Sequence, residues 1–176
     1  MSENICVDWA NSLHKNDYLD YECDLTVPLP FDDAVFDTII LSDVLEHVPR
    51  PEALWNEMHR VLRPGAKLLL NVPFFYWLHE QPHDYARYTC FALKRFAEEA
   101  GFEVLHLNSI GGVPEVLTDI FAKTALRIPR FGEWIALSAQ RITSLFVSTR
   151  LGARVSKATR DDFPLGYFLV AEKKLL

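Results

Sequence analysis

Strands alternating with helices predict an α/β domain built on a mostly parallel sheet. Two observations carry this. Short apolar runs, several of them β-branched, recur between segments of helical periodicity. The first three runs end in acids or hydroxyls, namely Asp8, Asp24, and Ser42 with Asp43. In parallel α/β sheets ligands lie outside the carboxyl ends of the strands, so polar residues there suit a cleft rim better than a packed interior.

In chain order, residues 4–8 (NICVD) and 18–25 (YLDYECDL) read as two strands, each with an acid near its end. The following stretch holds Pro28, Pro30 and the Asp32–Asp33 pair, which is loop and turn chemistry. Residues 37–41 form a third strand. Glu46 and His47 then open a helical turn that Ser42 or Asp43 could cap. Residues 51–62 are helical, with Leu54, Met58, Val61 and Leu62 on one face and Pro64–Gly65 as the stop. Residues 66–72 are nearly all apolar, as expected of a strand covered on both faces. A helix over 91–100 stops at Gly101, and a strand follows over 102–107. Two helices, 114–126 and 133–151, join around Pro129, and residues 167–172 form a closing strand.

The chain has 176 residues, enough for one sizeable core, so 1–176 is expected to be a single domain with a helical insertion over 113–160. A net charge of -6 argues against a nucleic-acid partner. The three cysteines, Cys6, Cys23 and Cys90, form no CxxC pattern, which suits a reducing, cytoplasmic setting. The longest apolar stretch, 68–78, is too short to span a bilayer.

Residues 24–73, DLTVPLPFDDAVFDTIILSDVLEHVPRPEALWNEMHRVLRPGAKLLLNVP, resemble the central half of a class I S-adenosylmethionine-dependent methyltransferase of the type-11 kind. The shared order is an acid, LPF, a turn and FD, an apolar strand, LEHV, a helix ending RVLRPG and a further apolar strand. The resemblance implies a Rossmann-like sheet and S-adenosylmethionine as cofactor. It places Asp8 on the ribose hydroxyls, Trp9 on the adenine face, Asp24 and Leu25 near the adenine amino group, and Ser42 and Asp43 near the methionine part. It puts His47 close to the transferring methyl, as a candidate catalytic base. The family's glycine-rich loop has no counterpart here. The first of seven glycines is Gly65, and no GxG occurs. The expectation is therefore a partial Rossmann-like sheet lacking its first βα unit, from an N-terminally truncated chain, with uncovered strand edges.

The expected activity is methyl transfer to an oxygen or nitrogen acceptor, either a small molecule or a lipid- or glycan-linked precursor. The alternative is a non-catalytic binding or assembly module. Residues 74–89 (FFYWLHEQPHDYARYT) read as a lid, with His79, His83, Asp84, Arg87 and Tyr88 as acceptor-binding candidates and Arg87 holding an anionic group. Equally, Arg87 could pair with Asp84 or Glu80 in a folded loop. No metal is expected, because His79, Glu80, His83 and Asp84 match no HExxH-like spacing. Residues 120–160 hold eight basic side chains against one acid, Glu133. Their apolar stripe of Trp134, Ile135, Ala139, Ile142, Leu145 and Phe146 suits a peripheral contact with an anionic inner membrane face, a helical cap on the sheet, or a homodimer.

Overall fold

The computed structural model describes residues 4–9 and 19–175; Tyr18, the first residue of the second predicted strand, lies outside them. Two short strands, β1 (Val7–Asp8) and β2 (Tyr21–Glu22), pair in parallel as a small sheet. The main sheet has β3 (Phe36–Ser42), β4 (Leu62–Pro73), β5 (Phe102–Ile110) and β6 (Gly166–Lys173), in the order β3-β4-β6-β5. β3 and β4 are parallel, and β6 runs antiparallel to both its neighbours, β4 and β5. All main-sheet strands except β6 therefore share one direction.

The helices are α1 (Pro51–Val61), α2 (Cys90–Glu99), α3 (Val113–Ala125), α4 (Gly132–Ser148) and α5 (Arg150–Thr159). A single 3-10 turn, Leu45–His47, follows β3, and neither Ser42 nor Asp43 caps it. Pro51 begins α1, where a missing N–H costs nothing. The buried face of α1 (Leu54, Trp55, Met58, Val61) joins Leu68 and Leu70 of β4, Leu169 of β6 and Leu93 of α2 in one core. The other face of α1 secures the loop before β3. Arg60 donates to the carbonyls of Leu29 and Phe31 at 3.0 and 2.8 Å and to Asp33 at 2.7 Å, while Glu57 accepts from the Leu29 N–H at 2.7 Å. The LPF stretch is thus held to the helix that precedes β4.

Two expected boundaries are corrected. β4 begins directly at Leu62, opposite Phe36, and carries Pro64–Gly65 in a bulge, because Gly65 takes a φ of 80° that other residues resist. The helix expected over 133–151 breaks at Thr149, whose extended backbone and side chain cap α5 by accepting from the Gly152 N–H at 3.1 Å. Gly152 is required at that joint, since a Cβ there would lie 2.0 Å from the Phe146 carbonyl oxygen. The three helices pack on one another rather than as a lid on the sheet. They are tied by Ser156 donating to Glu115 at 2.7 Å and by the Val113 N–H donating to Thr159 at 3.0 Å.

Among the described residues β3 pairs only with β4, and Ile40 on it is 73% exposed. An apolar side chain on a free edge strand favours self-association. Ile40→Lys is expected to lower light scattering of concentrated protein while changing stability by less than about 0.5 kcal/mol. Unchanged scattering would show that the edge plays no part in association.

Candidate functional site

The rim is built where β1, β2 and β3 end. Asp8 accepts from the Trp9 N–H at 2.7 Å, and its carbonyl accepts from the Cys23 N–H at 2.9 Å, which ties the ends of the first two strands together. Asp24 accepts from the Thr26 N–H at 2.8 Å, and that bond holds its carboxyl below the usual range. Leu25 packs against the core. At the end of β3 the backbone of Asp43 adopts a φ of 54°, uncommon for a residue with a Cβ. Its carboxylate accepts from the Ser42 hydroxyl at 2.8 Å and from the Asn71 amide at 3.1 Å on each oxygen. Asn71 was not singled out in the sequence, although a lone amide in the apolar run LLLNV was the available signal.

The segment 74–89 lies beside this rim. The Trp9 ring meets the His83 ring edge-on, with centroids 5.0 Å apart, so the end of β1 touches the lid. His47 Nδ1 lies 2.8 Å from the His83 carbonyl, and His47 Nε2 lies 3.1 Å from His79 Nε2. Glu46 is fully buried, and neither of its carboxylate oxygens has a hydrogen-bond partner among the described residues. Burial pushes its pKa up to about 7, against the pull of the adjacent His47. The structure therefore brings together Glu46, His47, His79 and His83. His47, His79 and His83 are expected from the sequence, whereas Glu46 reads there only as an acid opening a helical turn.

Of the two readings of Arg87 the structure shows the paired one, and it places Tyr88 away from the cleft. Arg87 is not free to hold an anion. Its Nη1 donates to Asp84 at 2.5 Å and to the Ala86 carbonyl at 2.8 Å, and its Nη2 donates to Asp84 at 2.8 Å and to the Trp77 carbonyl at 2.9 Å. That fork, with the His79 N–H at 2.9 Å, also holds the Asp84 carboxyl down at about 2 and takes it out of acceptor binding. Tyr88 is a core residue. It is buried, its hydroxyl donates to the Leu45 carbonyl at 3.3 Å, and burial pushes its phenol up to about 12. The lid instead presents Phe75, Tyr76 and Trp77 to α3. With Asp119, Lys123 and Arg127 these line a cavity of about 290 Å³, and Lys123 lies over the Tyr76 ring.

Residues 3–70 match the family model described as a methyltransferase domain. A 50-residue stretch is 46% identical to an uncharacterized methyltransferase of Mycobacterium leprae (strain TN), covering 28% of this chain and 18% of that protein. A 54-residue stretch is 41% identical to the ubiquinone/menaquinone biosynthesis C-methyltransferase UbiE of Roseobacter denitrificans, covering 31% of this chain and 22% of that one. The matches thus span only about a fifth of those curated relatives. Among solved structures, the 4+2 cyclase SpnF superposes with a TM-score of 0.55 at 22% identity, over 90% of this chain and 57% of that one. Phosphoethanolamine N-methyltransferase 2 of Haemonchus contortus, in complex with S-adenosyl-L-methionine, gives a TM-score of 0.53 at 16% identity, over 88% of this chain and 36% of that one. Such likenesses show the fold, which is a Rossmann-like α/β sheet with a reversed penultimate-position strand. Within that class, residues 3–70 are similar to the methyltransferase domain family.

Proposed function

We propose that the chain binds S-adenosylmethionine across the ends of β1, β2 and β3 and presents an oxygen or nitrogen acceptor to it beneath the segment 74–89. The observation carrying this reading is the contact of Trp9 with His83, which joins the acid-tipped strand ends to the lid. Asp8 would accept the ribose hydroxyls, Trp9 would pack on the adenine, and Asp24 with Leu25 would flank its amino group. Ser42 and Asp43, fixed by Asn71, would face the methionine part. S-adenosylmethionine supplies an electrophilic methyl on sulfur. The chain's share is alignment of the acceptor lone pair and exclusion of water, with the His47–His79 pair as the nearest group able to take the acceptor's proton.

Titration calorimetry with S-adenosylhomocysteine tests this. The chain is expected to show saturable one-to-one binding. Asp8→Asn is expected to weaken it about tenfold or more, because a charge-assisted hydrogen bond contributes about 1.5–3 kcal/mol. No heat at millimolar ligand, or equal affinity in the variant, would contradict the reading.

A second reading concerns where the acceptor comes from. The outer face of α3 and α4 exposes Leu117, Trp134, Leu137, Ile142 and Leu145, each more than half accessible, beside Arg127, Arg130 and Arg141. A shallow apolar groove of about 390 Å³ runs along it. No helix among the described residues is long and apolar enough to cross a membrane. The combination suits a peripheral contact with anionic lipid and hence a lipid-linked acceptor. Co-sedimentation with phosphatidylglycerol vesicles is expected at low salt and to be lost in Trp134→Glu. A chain that stays in the supernatant, or that only dimerises through this face, would remove the membrane reading.

A further inference from the structure

We propose that Glu46, His47 and His79 form a site for one divalent transition-metal ion of the zinc class. Three donor atoms converge: His47 Nε2 and His79 Nε2 are 3.1 Å apart, and Glu46 Oε1 is 3.7 Å from the first and 3.8 Å from the second. These separations define a point about 2.1 Å from all three atoms, which is the bond length zinc makes to imidazole nitrogen and carboxylate oxygen. The ring centroids are 4.6 Å apart, wider than the nitrogens, as for two imidazoles radiating from a common centre.

The surroundings set the tautomers to match. His47 Nδ1 faces the His83 carbonyl at 2.8 Å, so it carries the hydrogen and leaves the Nε2 lone pair pointing inward. His79 Nδ1 lies 3.3 Å from both Asp84 Oδ2 and the Trp77 carbonyl, which are acceptors, and farther, at 3.5 Å, from the Arg87 Nη2 donor, so the nearer acceptors set it as the protonated nitrogen. With both Nδ1 atoms as donors, two lone pairs meet at 3.1 Å beside a carboxylate that is 0% exposed and without a partner among the described residues. A proton shared between the rings would satisfy the nitrogens but leave both Glu46 oxygens unpaired. A dication satisfies all three groups. The imidazoles keep 14% and 19% of their side-chain surface accessible, so solvent reaches the site. The ion would fasten the lid, through His79, to the turn after β3.

This proposal claims the Nε2 lone pairs of His47 and His79 that the methyl-transfer reading offers to the acceptor's proton, and its test needs no cofactor. Titrating the full chain with Co2+ is expected to give one equivalent of binding with the visible absorption bands of a low-coordinate nitrogen and oxygen set, displaced by Zn2+. Glu46→Gln and His79→Gln, checked as folded by circular dichroism, are expected to lose affinity about tenfold or more, and His106→Gln on β5 is expected to lose none. Should either variant fail to fold, the wild-type spectrum decides alone: no stoichiometric uptake, or only the weak bands of hydrated cobalt, overturns the site. Uptake that persists in both folded variants also overturns it.

Discussion

Replacing Arg87 with alanine is expected to destabilise the chain by about 3–5 kcal/mol, because it strands a buried carboxylate. The Asp84 side chain is only 3% exposed and accepts from Arg87 on both oxygens. The same guanidinium ties the carbonyls of Trp77 and Ala86, so its loss frees the lid at three points. Chemical denaturation is the measurement. The double replacement Asp84→Ala with Arg87→Ala should cost clearly less than the sum of the two single changes, since it removes the unpaired charge. Additive losses would mean that the pair is not coupled. The pair also sets an acid limit. The folded carboxyl sits near 2, below its ordinary 3.8, so its contribution is present above the unfolded value and is lost as pH falls from about 4 toward 2.

Phe102→Ala is expected to cost about 3–5 kcal/mol through lost burial and the cavity left behind. Phe102 is fully buried at the start of β5 and meets the edges of Trp55 and His59, with centroids 5.8 and 5.2 Å away. It joins α1 to the sheet. Phe91→Ala, at a side chain 82% exposed on α2, should change stability by less than about 0.5 kcal/mol under the same conditions. Similar losses at the two sites would contradict the placement of the core.

Much of this fold was legible because its signals are local. The run of β-branched residues before Ser42, the one-sided apolar face of α1 and the apolar stretch of β4 each declare their element within a dozen residues. The break at Thr149 was not legible. The apolar stripe ends at Phe146 without marking a stop, and the break depends on the Thr149 cap and on the close approach of Gly152 to the Phe146 carbonyl.

At the site, the acids at the strand ends were readable as a row of polar punctuation after apolar runs. Their partners were not. Asn71 meets Asp43 only because β3 and β4 pair with Ser42 opposite Asn71. Glu46 looked like a helix-opening acid, and its burial depends on a lid that returns some thirty residues later. Within that lid, His79, Arg87 and Tyr88 are equally polar on paper. The folded path sends His79 to His47, commits Arg87 to Asp84 and buries Tyr88 in the core.

The central claim is that one ligand spans the ends of β1, β2 and β3 under the segment 74–89. Hydrogen exchange read by mass spectrometry, with and without S-adenosylhomocysteine, tests it most directly. The account predicts added protection at Asp8 and Trp9, at Asp24 and Leu25, at Ser42 and Asp43, and in the lid from Trp77 to Tyr85, with α3 to α5 unchanged. Protection confined to the outer face of α3 and α4, or none at saturating ligand, would contradict it.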